Sequence, residues 1–294
     1  MIVIVAVLIV VALQEPPLRP DSCRLYDKAK HDAQKNPLGE KMKQLGMLVV
    51  VVGALIGSTA WGQQPLKAGG QDVKPWVLHD QTELSGVAVD LTRAISEQIG
   101  VPIEYRPMIF ADLIWAVDSG KIDVIATNMA ITPEREQKVD FTGPYYNALP
   151  EALVVQSSDT TSYRTLADLK DLPVGAQKGS IQLALLQRIG GFSEIKIYDG
   201  QKDAWEAVAS GQIRATITPG VETRYAAKTG SLPQGARVVD TYQSTSPRPR
   251  SAFAVRKGNR ELLEKINVAL ATLGADGTLK SIFNKYGLDW APPE

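Results

Sequence analysis

The 294-residue chain has very little cysteine or histidine: one cysteine, Cys23, and two histidines, His31 and His79. A lone cysteine excludes a disulfide within one folded chain and a cysteine metal site. Neither histidine belongs to a local ligand pattern such as HExxH, so zinc chemistry is not expected, nor is a resident metal or cofactor. Charge of one sign is also missing. The 32 basic and 32 acidic residues cancel to a formal net charge of zero, without the basic surplus that neutralises phosphates, so no nucleic-acid partner is expected. There is no short-period repeat and no low-complexity tract. What is present is the composition of an ordinary globular protein, 44% hydrophobic, at a length suited to two domains.

Two apolar runs open the chain. The second follows Lys41 and Lys43 and extends over Leu45 to Gly57. Its length, the basic flank before it and the small residues Ser58, Thr59, Ala60 and Gly62 after it are the order of a secretory signal, with cleavage expected after Ala60 or Gly62. A transmembrane anchor is the competing reading, but the run is short for a bilayer and no stop-transfer pattern follows. No cysteine follows the apolar core, so lipid attachment there is not expected. Residues 1–41 precede this signal and show no sustained period after Leu13. They read as a mis-start upstream of Met42 or Met47, or as an extra membrane anchor.

From Gln63 the pattern alternates between strand and helix, which predicts an α/β architecture. Expected helices cover 90–100, 110–118, 180–189, 202–209, 261–273 and 278–286, and a further one starts at Thr132. Expected strands cover 101–105, 122–126, 172–177, 195–198, 215–218, 238–241 and 251–256. Asp90 is read as the cap of the first helix, and Pro133 as the first residue of the helix behind Thr132. The breaks at 145–149 and at 245–250 (TSPRPR) mark the expected domain junctions.

Three segments, LSGVAVDLTRAISEQIGVPIEY (84–105), LIWAVDSGKIDVIATNMAITPEREQKVDFTGPYY (113–146) and LLEKINVALATLGADGTLKSIFNKYG (262–287), resemble the family 3 bacterial extracellular solute-binding proteins, which include polar amino acid receptors of ABC transporters. The resemblance runs from Leu66 to near the end of the chain. Its most specific piece is SGKIDVIA, ITPER, VDF and PYY at their mutual spacing. It implies a two-lobe periplasmic binding protein fold of type II, with the lobes joined by two crossing strands. Lobe 1 would hold 63–145 plus 251–294 and lobe 2 would hold 146–250, after a signal peptide at 42–62. It also implies a small carboxylate or amino acid as ligand, an inner-membrane ABC permease as partner, a periplasmic location and a monomer, with no further domain after the last helix.

Arg135 is the leading ligand-binding candidate. It sits in the first turn of a helix, where its charge opposes the helix dipole, and its guanidinium offers a two-pronged match to a carboxylate. The bland alternative is a surface arginine paired with Glu134 or Asp140. In the resembled family this arginine binds the ligand's carboxylate. The resemblance also places Phe110 in the cleft wall, with an ordinary core aromatic as the alternative; Trp76, after Pro75 near the end of the first strand, is expected to form another part of the wall. Gln177, Gly179 and Ser180 form a strand-to-helix turn whose backbone N–H groups can meet an anion, or simply a turn with a serine cap. Asn128, whose backbone carbonyl can accept a hydrogen bond, Ala130 and Thr218 complete the expected set.

Three positions depart from the family pattern. Pro219 stands where an acid usually holds the ligand ammonium, Ala130 where Ser or Thr is usual, and Gly70 where Asp is common. The expectation is therefore weak binding of ordinary α-amino acids, or preference for a carboxylate without a free ammonium, unless Glu222 or Thr218 compensates. An acid in a helix's first turn, however, needs no functional reason. Binding without catalysis is the leading function. The rivals are a cyclohexadienyl dehydratase-like enzyme, for which Glu222 is the one nameable proton donor, and a ligand sensor that reports to a membrane protein.

Overall fold

The computed structural model describes residues 64–79 and 83–293. The expected signal, Cys23 and His31 lie outside the described residues. Two sheets organise the chain, and each is covered by helices on both faces.

The first sheet has the order β4-β1-β5-β13-β6, with β7 also on β13. Its strands are β1 (Leu66–Gln71), β4 (Ile103–Met108), β5 (Val124–Ala130), β6 (Val139–Phe141), β7 (Tyr146–Asn147) and β13 (Arg250–Arg256). β1 runs parallel to β4 and β5, while β13 runs antiparallel to β5, β6 and β7. Side chains alternate across a strand, so β5 and β13 feed two cores. Val124, Ala126, Phe253 and Val255 join Trp76, Leu91, Ile95, Ile266 and Phe283 on one face. Ile125, Met129 and Ala254 join Leu113, Val117 and Ile122 on the other. The helices of these cores are α1 (Val87–Ile99), α2 (Leu113–Asp118) behind a 3-10 turn at Phe110–Asp112, α7 (Arg260–Ala275) and α8 (Thr278–Lys285). A two-stranded ribbon pairs β2 (Leu78–His79) with β3 (Leu84–Ser85).

The second sheet has the order β10-β9-β11-β8-β12. It contains β8 (Ala152–Gln156), β9 (Pro173–Gln177), β10 (Glu194–Tyr198), β11 (Ala215–Thr218) and β12 (Ala236–Val238). Leu153 and Val155 pack with Val174, Leu186 and Ile217 on one face, and Val154 packs with Trp205 and Val208 on the other. Its longer helices are α4 (Ile181–Ile189), α5 (Gln201–Ala209) and α6 (Gly220–Lys228); the one-turn α3 (Pro133–Glu136) belongs to the first sheet.

Several boundaries differ from expectation for identifiable reasons. α1 starts three residues before Asp90 because Val87, Ala88 and Val89 are apolar and buried. Asp90 is not its cap; the carboxylate instead accepts from Lys285 Nζ and Tyr286 Oη, both at 2.6 Å. The strand expected at 238–241 forms earlier, at Ala236–Val238, where it pairs with β8. The one expected at 101–105 forms at Ile103–Met108 in register with β1. β7 and Arg250 belong to the first sheet, so the passages between sheets span 148–151 and 239–249. They lie side by side through Ala148 N–H donating to the Pro249 carbonyl at 2.9 Å, and Pro247 and Pro249 bring no N–H with which to extend a ladder. Glu151 Oε1 binds them further by accepting from Tyr242 Oη, Ser244 Oγ and Ser246 Oγ.

Candidate functional site: a cavity between the sheets with one cation and one acid

Ligand-bearing loops of open α/β sheets follow the carboxyl ends of strands, and both sheets here conform. β1 ends at Gln71, β4 leads to Phe110, and β5 carries Asn128 and Ala130 and leads to Arg135. On the other sheet β9 ends at Gln177 before Gly179 and Ser180, and β11 ends at Thr218 before Pro219 and Glu222. The two sets of loops meet around a cavity of about 40 Å³ lined by residues of both. Beside it lies a groove of about 1370 Å³, and Phe110, Ala130, Arg135 and Ser180 border both spaces.

Arg135 is held by the local structure. Thr132 caps α3, its Oγ1 accepting from Arg135 N–H at 3.3 Å, and Pro133 occupies the first helical position. The side chain is turned inward, and Arg135 as a whole is 8% exposed. Nη1 donates to the Ala130 carbonyl at 2.7 Å, and Nη2 donates across to the Gly179 carbonyl of the second sheet at 3.0 Å. Phe110 packs against it with 5.3 Å between Cζ and the ring centroid. The surface-arginine alternative does not hold: Asp140 pairs with Lys257 at 2.8 Å, and no ion pair among the described residues includes Arg135. Burial pushes its pKa down to about 10, only partly offset by neighbouring Glu134. A buried cation whose partners are carbonyls leaves guanidinium donors free for an anion.

Glu222 lies in the first turn of α6 and is 1% exposed. Its Oε1 accepts from the Trp76 indole N–H at 2.9 Å and from Asn128 Nδ2 at 2.7 Å. Its Oε2 is buried with no hydrogen-bond partner. Burial raises its pKa, against the smaller lowering effects of its own backbone contact and of Asn128, Trp76 and Gln201. Gln201 nevertheless makes no hydrogen bond by its geometry, since both its amide atoms are also unpartnered.

The other expected residues divide. Phe110, Asn128, Ala130, Gln177 and Ser180 line the small cavity with Arg135. Asn128 contributes its side chain to Glu222 rather than a free carbonyl. Ser180 Oγ serves as the α4 cap, accepting from Leu183 N–H at 3.0 Å, and Gly179 meets the arginine through its carbonyl rather than meeting an anion through N–H groups. Trp76 is fully buried among Tyr146 and Phe283; it reaches the site through Glu222 rather than as wall. Thr218 is also fully buried, bonded to Trp205 Nε1 at 3.0 Å and Thr223 Oγ1 at 2.7 Å, and lines neither space. Gln71, Gln182, Leu149 and Ser251 line the cavity without having been expected to; their one sequence signal is position at strand ends or helix starts. Among the described residues no group of three His, Cys, Asp or Glu side chains is placed to hold a metal.

The ABC transporter arginine-binding protein 1 of Escherichia coli K12 is 32% identical over 207 residues, 69% of this chain and 82% of that protein. An ancestral arginine-binding protein solved with arginine is 35% identical, with a TM-score of 0.70 over 76% of this chain and 99% of that one. An ancestral amino acid-binding protein, described as a precursor of cyclohexadienyl dehydratase, is 29% identical with a TM-score of 0.66 over 76% and 94% of the two chains. The two sheets and their paired passages are the two lobes of a type II periplasmic binding fold. Residues 67–289 match the bacterial extracellular solute-binding proteins, family 3, and the chain belongs to that family.

Proposed function

We propose that the chain captures a small carboxylate-bearing metabolite, an amino acid or a close relative, between its lobes and delivers it to an inner-membrane ABC permease. The observation that carries this reading is Arg135: a buried guanidinium, bonded to two carbonyls and to no acid, on the wall of a cavity shared by both lobes. Relatives of this family that bind arginine support the class of ligand. The protein works as a monomer in the periplasm after cleavage of the segment 42–62, and mass spectrometry of a periplasmic extract finds a mature start at Trp61 or Gln63. A thermal-shift screen of amino acids, amines and small carboxylates tests the function. A ligand at a hundred times its dissociation constant stabilises by about 2.7 kcal/mol, and the hits are carboxylates. A screen in which only amines stabilise contradicts the reading.

A second reading, a cyclohexadienyl dehydratase-like enzyme, draws support from Glu222, a carboxyl on the cavity wall whose pKa burial raises, the direction a proton donor to a leaving hydroxyl needs. The dehydratase precursor among the solved relatives is itself an amino acid-binding protein. Incubation with prephenate or arogenate and assay for product separates the two: the binding reading expects no turnover.

A further inference from the structure

The inner cavity has one cation and one acid in its wall, Arg135 and Glu222; every other lining residue is neutral. Resting on the capture reading above, we propose that Glu222 is the seat of the ligand's cationic group, and that the site therefore selects zwitterions with an uncharged side chain over arginine-like ligands that carry a second positive charge.

Glu222 is built for this role on one side and incomplete on the other. Oε1 collects two N–H donors, from Trp76 at 2.9 Å and Asn128 at 2.7 Å. Donors alone around a carboxyl oxygen favour the ionised form. Oε2, buried and unpartnered, lacks the donor that would complete the carboxylate. A buried polar atom without a partner costs free energy, and a charged partner is the stronger remedy. An ammonium supplies it. Pro219, three residues earlier at the cap of the same helix, lines the cavity but has no charge to offer an ammonium. Thr218 cannot fill it, because Trp205 and Thr223 already occupy its hydroxyl.

The charge count then sets the selectivity. A ligand carboxylate on Arg135 and an ammonium on Glu222 cancel both buried charges of the wall. A second cation on the ligand finds no further acid in the cavity. In the adjoining groove it meets Lys138, Arg188, Arg248, Arg250 and Lys257 against Asp118, Glu134 and Glu151, and Glu151 is already bonded by three hydroxyls. An unmatched buried charge is strongly unfavourable. The uncharged walls, with Phe110, Leu149, Ile181, Pro219 and Pro249 beside Gln71, Gln177 and Gln182, suit a neutral side chain.

The test is calorimetry of the full mature chain at pH 7. The panel is neutral α-amino acids, arginine and lysine, and the N-acetyl and 2-oxo analogues of the neutral set. Wild type is compared with Glu222→Gln, which keeps an acceptor for Trp76 and Asn128 but removes the charge; thermal melts confirm its fold, and Glu222→Asp serves as a charge-retaining control. The expected result is neutral zwitterions bound about tenfold or more tighter than arginine. That affinity falls by about tenfold or more in Glu222→Gln, while the N-acetyl and 2-oxo analogues are unaffected. Arginine bound as tightly as the neutral set, or a zwitterion indifferent to Glu222→Gln, overturns the proposal and leaves the capture reading standing. Binding of no carboxylate to either protein overturns both.

Discussion

At the scale of the residue, the site consists of one buried cation and one buried acid held by neutral neighbours, and each has a measurable signature. Burial raises the Glu222 pKa above its ordinary value of 4.5. A carboxyl with a raised folded-state pKa holds its proton more tightly in the folded than in the unfolded chain. Its favourable effect is full below the unfolded pKa and is lost as pH rises from there through the folded one. Asp140 and Asp159, whose pKa values are lowered below the usual 3.8, act with the opposite sign at lower pH. Chemical denaturation at rising pH from 4.5 upward is therefore expected to show wild type losing stability relative to Glu222→Gln; parallel profiles would show that burial does not raise the Glu222 pKa. This residue was only half legible in the sequence. An acid in a helix's first turn is ordinary, and nothing local reveals that Trp76 and Asn128, 146 and 94 positions away, converge on it. Gly70 was legible as a departure but not as a necessity: a Cβ there would collide with the Tyr105 hydroxyl, which donates to the Ala126 carbonyl at 2.9 Å. Any side chain, acidic or not, is excluded by that packing.

At the scale of the element, one short helix determines where Arg135 points. α3 has four residues and depends on its cap, because a single turn has almost no propagation to stabilise it. Removing the Thr132 side chain costs about 1 kcal/mol of stability on general cap energetics. It also frees the turn that aims Arg135 at the Ala130 and Gly179 carbonyls. Thr132→Ala is thus expected to weaken carboxylate binding by more than its loss of stability, measured as calorimetric affinity against denaturation midpoint. Equal or smaller loss of affinity would mean that the arginine is positioned by other contacts. The cap, the proline and the arginine were all readable from TPER, because they are adjacent in sequence. α4 was readable for the same reason: Ser180 caps it and Gly190 follows it. The start of α1 was not, since Asp90 resembles a cap locally while its carboxylate bonds Lys285 at the end of the last helix and Tyr286 just after it. Elements whose signals lie within a turn were legible. Those set by pairing across the sheet, such as β12 on β8, were displaced by a few residues.

At the scale of the whole molecule, the bonds between the lobes and the proposed ligand contacts use the same side chains. Arg135 reaches the Gly179 carbonyl, and Trp76 and Asn128 reach Glu222. The passages 148–151 and 239–249, free of extended ladder pairing and bound together by Glu151, are where rotation between lobes can be absorbed. Small-angle scattering is expected to show a smaller radius of gyration on saturation with a binding carboxylate, and Glu151→Ala is expected to broaden the unliganded distribution. An unchanged profile at saturation would count against closure around these passages. The central claim is that a carboxylate is captured by the guanidinium of Arg135, and the most direct measurement is calorimetric titration of the best carboxylate from the screen into wild type and Arg135→Ala. A charged hydrogen bond contributes about 1.5–3 kcal/mol, so the account predicts that the variant, still folded by thermal melt, loses about 10- to 150-fold in affinity or more. Near-wild-type affinity in a folded Arg135→Ala protein would contradict it.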